Sequence, residues 1–203
     1  MIGIVDYGCG NLASVANMLK RVGVRSQISS DPRILQASSR LILPGVGSFG
    51  HGMAQLNKLG LDAFLREQAA QGKPLLGICL GMQLLAAGSE EGGEAGLGLV
   101  SGFVRHLSEQ QLAGLPVPHV GWNEVRFRED NGFYAPDGMQ RFYFTHSYHF
   151  VCEREQARIA TTEYGGVVTA AVAEGNVAGV QFHPEKSHRF GMALLAAFGC
   201  DDG

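Results

Sequence analysis

The chain has 203 residues, 45% of them hydrophobic, with 16 basic against 19 acidic residues for a formal charge of -3. That length suits one well-buried domain over residues 1–203 and falls short of two, and the balanced charge, with no basic stripe, argues against nucleic-acid binding. No apolar stretch nears the ~20 residues of a membrane span and no charged leader precedes Asp6, so a cytosolic protein is expected. Cys9, Cys79, Cys152 and Cys200 lie far apart without a C-x-x-C pair, which points to reduced thiols and to neither a disulfide framework nor a zinc site.

Ile2 to Val5 reads as a buried strand, and Leu12, Val15, Ala16, Leu19 and Val22 then recur at helical spacing until Gly23 stops the helix. The loop between them, Asp6 to Asn11, is glycine-rich but lacks G-x-G-x-x-G and the phosphate-loop lysine, which argues against nucleotide binding. Val24 to Ile28 reads as a second strand, Asp31-Pro32 as a helix start with proline in the first turn, and Arg40 to Leu43 as a third strand. Strands alternating with helices predict a mostly parallel sheet, whose functional loops gather at the carboxyl ends of the strands. Pro44 to Gly50 leaves the third strand at that edge, either as a plain tight turn or as a loop that presents backbone N–H groups to an oxyanion. Met53–Leu59 and Leu61–Ala70 read as helices, with Leu61, Phe64 and Leu65 on one face.

Pro74-Leu75-Leu76 then leads into Gly77-Ile78-Cys79-Leu80-Gly81-Met82-Gln83 and on to Leu84-Leu85-Ala86-Ala87, a strand, a sharp turn and a helix with Cys79 at the turn. Glycines two residues to either side leave room for the bend and for a substrate, as in a nucleophile elbow carrying sulfur. The N–H groups at the helix start favour a thiolate and an oxyanion, Leu80 being the nearest donor. On this motif alone a small buried hydrophobe is an equal reading of Cys79. Ser89 to Leu99 is polar and glycine-dense and is expected as a mobile surface loop.

From Val100 to Val180 the pattern changes to short alternating runs at Phe103–His106, Trp122–Phe127, Phe142–Thr145, Arg158–Thr161 and Val167–Val172, mainly antiparallel strands added to the parallel core. Pro116 to Asn123 is poor helix, and its Trp122, the only tryptophan, is as readily explained by buried packing as by function. His146 and His149, three apart on a strand, face opposite sides, so no metal site is expected. The apolar run Val177 to Val180 precedes Phe182-His183-Pro184-Glu185, where Pro184 favours an extended His183 and residues two apart point the same way. A histidine able to take a thiol proton and held in one tautomer by a carboxylate is the usual partner of a cysteine nucleophile, which favours the functional reading of Cys79. Arg189 to Phe198 forms a closing helix, with Gly199 as its cap.

The motifs GICLGMQ and QFHPEKS resemble those of class I glutamine amidotransferases. The segments DYGCGN and PHVGWNEV resemble one subtype, the glutaminase subunits of imidazole glycerol phosphate synthases of histidine biosynthesis. The resemblance covers the whole chain. It implies a three-layer α/β fold, a mostly parallel central sheet flanked by helices with added antiparallel strands. It also implies a Cys79-His183-Glu185 triad that hydrolyses the glutamine amide, and an oxyanion hole from Val46, Gly47 and Leu80. Glutamine contacts are implied at Gln83 and at Thr145, His146, Ser147 and Tyr148, and a surface including Asn11 and Lys186 facing a (β/α)8-barrel cyclase subunit that uses the ammonia. No cofactor is implied. The family often has another residue at Cys9, so a second, oxidisable thiol near the active edge is expected here. Two other readings share the fold: an amidotransferase for a different acceptor, or a regulatory subunit whose triad is idle.

Overall fold

The computed structural model describes residues 1–108, 113–136 and 138–200. The first half alternates strand and helix: β1 (Ile2–Val5), α1 (Leu12–Arg21), β2 (Ser26–Ser29), α2 (Pro32–Gln36), β3 (Arg40–Gly45), α3 (Phe49–Lys58), α4 (Leu61–Ala70), β4 (Leu75–Cys79) and α5 (Leu80–Leu84). There follow β5 (Gly88–Ser89), β6 (Gly102–His106), β7 (His119–Phe127), β8 (Gln140–His146), β9 (Tyr148–Cys152), β10 (Arg158–Glu163), β11 (Val167–Glu174), β12 (Val177–Val180) and α6 (His188–Gly199).

Nine strands form one sheet in the order β2-β1-β3-β4-β12-β11-β10-β7-β8. The strands from β2 to β12 run parallel, and from β11 onward each neighbour is antiparallel. A second sheet, β5-β6-β9, is separate. The inner parallel strands β1, β4 and β12 are apolar throughout because both their faces are covered, while the edge strand β2 is mostly polar and half exposed. Ile2, Ile4, Ile42, Leu76 and Ile78 face α1 and α6 through Val15, Leu19, Leu194 and Leu195. Val5, Leu41, Leu43 and Leu75 face the other way, onto Leu56, Leu65, Leu80 and Leu84 of α3, α4 and α5, with Val104 and Phe150 of the small sheet in the same cluster. Each such buried side chain contributes about 1.5–3 kcal/mol, and the two clusters on either side of one sheet make the three layers. No helix among the described residues is long and apolar enough to cross a membrane.

Several boundaries differ from the sequence expectation for identifiable reasons. β3 continues through Pro44 to pair Gly45 with Cys79; its ladder to β1 ends at Ile42, so the missing N–H of Pro44 lies beyond the two-sided part of the sheet. The edge strand β2 starts at Ser26, because Val24 packs against α6: a Cβ on Gly199 would lie 2.6 Å from Val24. Gly199 is thus a close-packing residue inside α6, not its cap. Helix α3 begins at Phe49, within the stretch expected as loop. The segment after α5 is fastened, since Gly88–Ser89 pairs with β6, Leu97 is buried, and the Glu91 carboxylate accepts the Phe49 N–H at 2.8 Å. Finally, the chain leaves the main sheet between His146 and Tyr148, so His146 and His149 sit in different sheets and not on two faces of one strand.

Candidate active site

The carboxyl ends of β1, β3, β4 and β12 deliver their following segments to one edge of the sheet, the edge where ligands bind in open parallel sheets. At the end of β4, Cys79 has φ 54° and ψ -110°, and α5 starts at the next residue. Such a conformation costs about 1–3 kcal/mol at a non-glycine residue and survives only where the surroundings impose it. Here they do. A Cβ on Gly77 would lie 2.6 Å from the Gly81 carbonyl oxygen, one on Gly81 only 1.7 Å from that of Leu43, and one on Gly179 2.7 Å from Met82. The flanking glycines therefore let α5 lie directly on the backbones of β3, β4 and β12, and the elbow follows from that contact.

His183 follows β12 with an extended backbone (φ -101°, ψ 97°), its N–H donating to the Tyr143 carbonyl at 2.9 Å and its own carbonyl accepting the Ser187 hydroxyl at 2.6 Å. Glu185 is not on a continuing strand, as the two-residue spacing implied, but in a tight 3-10 turn over Pro184–Lys186. That turn brings Glu185 Oε1 to 2.7 Å from His183 Nδ1, with the side chains 4% and 1% exposed. The other ring nitrogen, Nε2, is buried without a hydrogen bond of ordinary geometry. Burial alone would lower the His183 pKa, but the Cys79 thiol and the Glu185 carboxylate outweigh it and push the value up to about 9.

Cys79 and His183 open into a cavity of about 330 Å³, shared with Val46, Gly47, Leu80, Gln83, Glu91, Pro118, Thr145, His146 and Ser147. That volume lies at the small end of the range for small-molecule sites, about 300–1,000 Å³. Gly47 has φ 113°, and Val46 is exposed. Gln83 gives one amide proton to the Tyr148 carbonyl at 3.0 Å and the other to Gln181 Oε1 at 3.1 Å. Tyr148 contributes only that carbonyl; its ring stands edge-on to His106 and does not line the cavity.

Two residues of the site escaped the sequence reading. Gln181, fully buried, points its amide nitrogen at Cys79 Sγ from 3.8 Å. It stands two places before His183 in the motif, and that spacing was the available signal. Glu91 reaches the cavity from the segment expected as a surface loop, for which the sequence held no sign.

Asn11 and Lys186 come to the same side, because α1 packs against the turn that carries Lys186. Asn11 has a structural task, its Oδ1 accepting the Ser14 N–H to cap α1. Lys186 is exposed, with Nζ 5.6 Å from the centre of the Tyr143 ring. Trp122 is 40% exposed and stacked on His188, so buried packing does not account for it. Cys9 is buried, and burial raises its thiol pKa; a neutral, enclosed thiol is a poor target for oxidation, contrary to the expectation from sequence. Among the described residues no group of three or more His, Cys, Asp or Glu is placed to hold a metal ion.

Comparison with known proteins places this geometry among relatives. The family model for class I glutamine amidotransferases matches residues 3–200. An imidazole glycerol phosphate synthase subunit HisH of Moorella thermoacetica is 49% identical over 201 residues, covering 98% of this chain and 93% of that protein. The subunit HisH 2 of Methanococcus maripaludis is 46% identical over 202 residues, covering 98% of each. Solved structures with a similar fold include a glutamine amidotransferase (21% identity, TM-score 0.70, 96% of this chain and 98% of that one) and PurLQS of Thermotoga maritima (19% identity, TM-score 0.71, 97% and 94%).

Proposed function

The chain belongs to the class I glutamine amidotransferases, and from that premise we propose that it is the glutaminase subunit of an imidazole glycerol phosphate synthase, one amidotransferase domain acting with a separate cyclase subunit. The observation that carries the reading is His183, joined to Glu185 at 2.7 Å and opening with the strained Cys79 into one cavity. The names of relatives at 46% and 49% identity over nearly the full chain support the subtype.

In this reading the Cys79 thiolate attacks the side-chain carbonyl carbon of glutamine, and the carbonyl electrons move onto oxygen. The N–H groups of Leu80 and of the Val46-Gly47 segment stabilise that oxyanion, each donor contributing about 3 kcal/mol to the transition state. His183, protonated and oriented by Glu185, delivers its proton to the departing nitrogen as the C–N bond breaks, releasing ammonia. Water deprotonated by the now neutral His183 then cleaves the thioester, giving glutamate and restoring the thiol. Gln83 and the Thr145–Tyr148 segment hold the amino-acid end of the substrate. The ammonia passes to the cyclase, which forms imidazole glycerol phosphate and an aminoimidazole carboxamide ribotide.

The test is covalent labelling by a glutamine-analogue electrophile followed by peptide mass mapping, with glutamine hydrolysis measured beside it. A single adduct on Cys79 that blocks hydrolysis is expected. An adduct elsewhere, or hydrolysis that survives labelling of Cys79, overturns the mechanism.

A further inference from the structure

His119 and His146 are buried and take no proton in the chemistry above, yet their hydrogen bonds run unbroken into the cavity wall. His146 Nδ1 lies 2.8 Å from the Tyr148 carbonyl oxygen, His146 Nε2 lies 3.0 Å from His119 Nδ1, and His119 Nε2 lies 3.3 Å from Asn123 Nδ2. A carbonyl only accepts, so His146 carries its proton on Nδ1. In a neutral ring Nε2 is then the acceptor, which requires His119 to donate from Nδ1 and leaves His119 Nε2 to accept from Asn123. The Asn123 amide agrees from the other end: its nitrogen donates to the Glu163 carbonyl at 2.8 Å and its oxygen accepts the Glu124 N–H at 2.8 Å.

Both rings are neutral at physiological pH, because burial pushes His119 down to about 4 and His146 down to about 3, the latter despite the Tyr148 carbonyl. His119 is also clamped between the rings of Phe144 and Tyr164, with centroids 4.6 and 3.9 Å away, which opposes a ring flip. At the far end the Tyr148 carbonyl accepts Gln83 as well, and Gln83 continues through Gln181 to Cys79.

We propose that Asn123 and His119 are positioning residues for glutamine: the hydrogen-bond direction set at Asn123 passes through His119 and His146 to the Tyr148 carbonyl and Gln83, and fixes the wall that receives the substrate. Neither Asn123 nor His119 lines the cavity. The inference rests on the glutaminase reading and adds to it a structural purpose for the PHVGWN segment.

Asn123→Asp keeps the side-chain shape but replaces the donor with an acceptor. His119 then carries its proton on Nε2, His146 must donate from Nε2, and the bare His146 Nδ1 faces the lone pairs of the Tyr148 carbonyl, unless a ring takes up a proton. The reversal displaces the carbonyl, whereas a His119 protonated on both nitrogens still donates to His146 and keeps the carbonyl in place, so a KM raised in that state, read from the 15N shifts, overturns the proposal. Asn123→Ala removes the donor but leaves the Tyr148 end to order both rings.

The experiment compares wild type, Asn123→Asp and Asn123→Ala, each assembled with the cyclase subunit, by glutamine KM and kcat and by the 15N shifts of the two histidines. Expected are Nδ1-protonated rings in wild type, and for Asn123→Asp a KM raised about tenfold at a kcat within about twofold, with the His119 proton moved to Nε2. Asn123→Ala should shift KM less. A merely structural role predicts the opposite order, because aspartate fills the space of asparagine and alanine does not. An alanine variant worse than the aspartate variant overturns the proposal. So does a wild-type His146 protonated on Nε2, a spectrum that decides even if Asn123→Asp fails to fold. A wild-type complex that hydrolyses no glutamine sinks the glutaminase reading instead, and is distinguished by intact tautomer signals.

Discussion

Cys79 is held at φ 54° by its neighbours, and its side chain, though buried, is small and opens into the cavity, so it matters to chemistry far more than to folding. Cys79→Ala should lower glutamine hydrolysis by at least about 10⁴-fold, the scale seen on losing a nucleophile, while circular dichroism and cyclase binding stay as in wild type. Substantial residual hydrolysis would exclude the thiolate mechanism. Glu185 forms no bond to substrate in that mechanism, and its removal should cost less than removal of Cys79 or His183. It also leaves a signature in stability. The folded pKa of His183 is raised, to about 9, from an ordinary value near 6.5. A raised folded pKa contributes stability that is complete below about pH 6.5 and is lost as the pH climbs through 9. Glu185→Gln removes one cause of the raise, so the gap in urea midpoint between wild type and variant should be widest near pH 6 and close by about pH 9. A gap that instead widens with pH would mean that Glu185 does not pair with a protonated His183.

The elbow as an element depends on backbone contact, which makes its glycines unequal. At Gly81 an added methyl would overlap the Leu43 carbonyl, a fixed backbone atom, and Gly81→Ala should destabilise the protein by about 3 kcal/mol or more. At Gly47 an added methyl meets nothing within 4 Å, and only its φ of 113° resists substitution. The loop can relax into the open space, so Gly47→Ala should change the urea midpoint little while lowering kcat about 100-fold through a displaced oxyanion donor. Equal effects of both variants on stability would contradict this division. The elements of the parallel half were legible because each is a continuous apolar run or a helical stripe bounded by glycine or proline, as at Ile2–Val5 and Asp31-Pro32. What the sequence hid is tertiary in origin. Gly199 looks like a cap because its packing partner, Val24, is remote in the chain. Glu185 reached His183 through a turn that strand periodicity does not describe, and Glu91 entered the site only because its carboxylate caps the start of α3, 42 residues earlier.

At the scale of the whole molecule, the cavity edge, Asn11, Lys186 and the exposed Trp122–His188 stack lie on segments that leave or flank the same active edge. Glu185 links the two sides of that region, since it bonds to His183 of the active cavity and itself borders a second cavity lined by Ser14, Asn17, Met18, Lys20 and Arg21 of α1. A cyclase seated on this face would touch the turn that orients the base and would stand close to the Val46-Gly47 loop. It therefore has the means to favour the loop conformation that donates to the oxyanion, and a ligand that changes the cyclase changes that preference by the same coupling. Hydrolysis that waits for an occupied cyclase avoids wasting glutamine. The isolated chain should thus be nearly inactive, and adding the cyclase with its ribotide ligand should raise turnover by about two orders of magnitude. Lys186 is exposed, its ammonium 5.6 Å from the centre of the Tyr143 ring, so Lys186→Ala should alter stability by no more than about 0.5 kcal/mol, as surface changes usually do. If it faces the cyclase, the same change weakens the activation by ligand. Steady-state glutamine hydrolysis with and without cyclase and ligand, for wild type and Lys186→Ala, measures both effects. Full activity of the isolated chain would remove the need for coupling, and an unchanged activation ratio in the variant would take Lys186 out of the path that carries it.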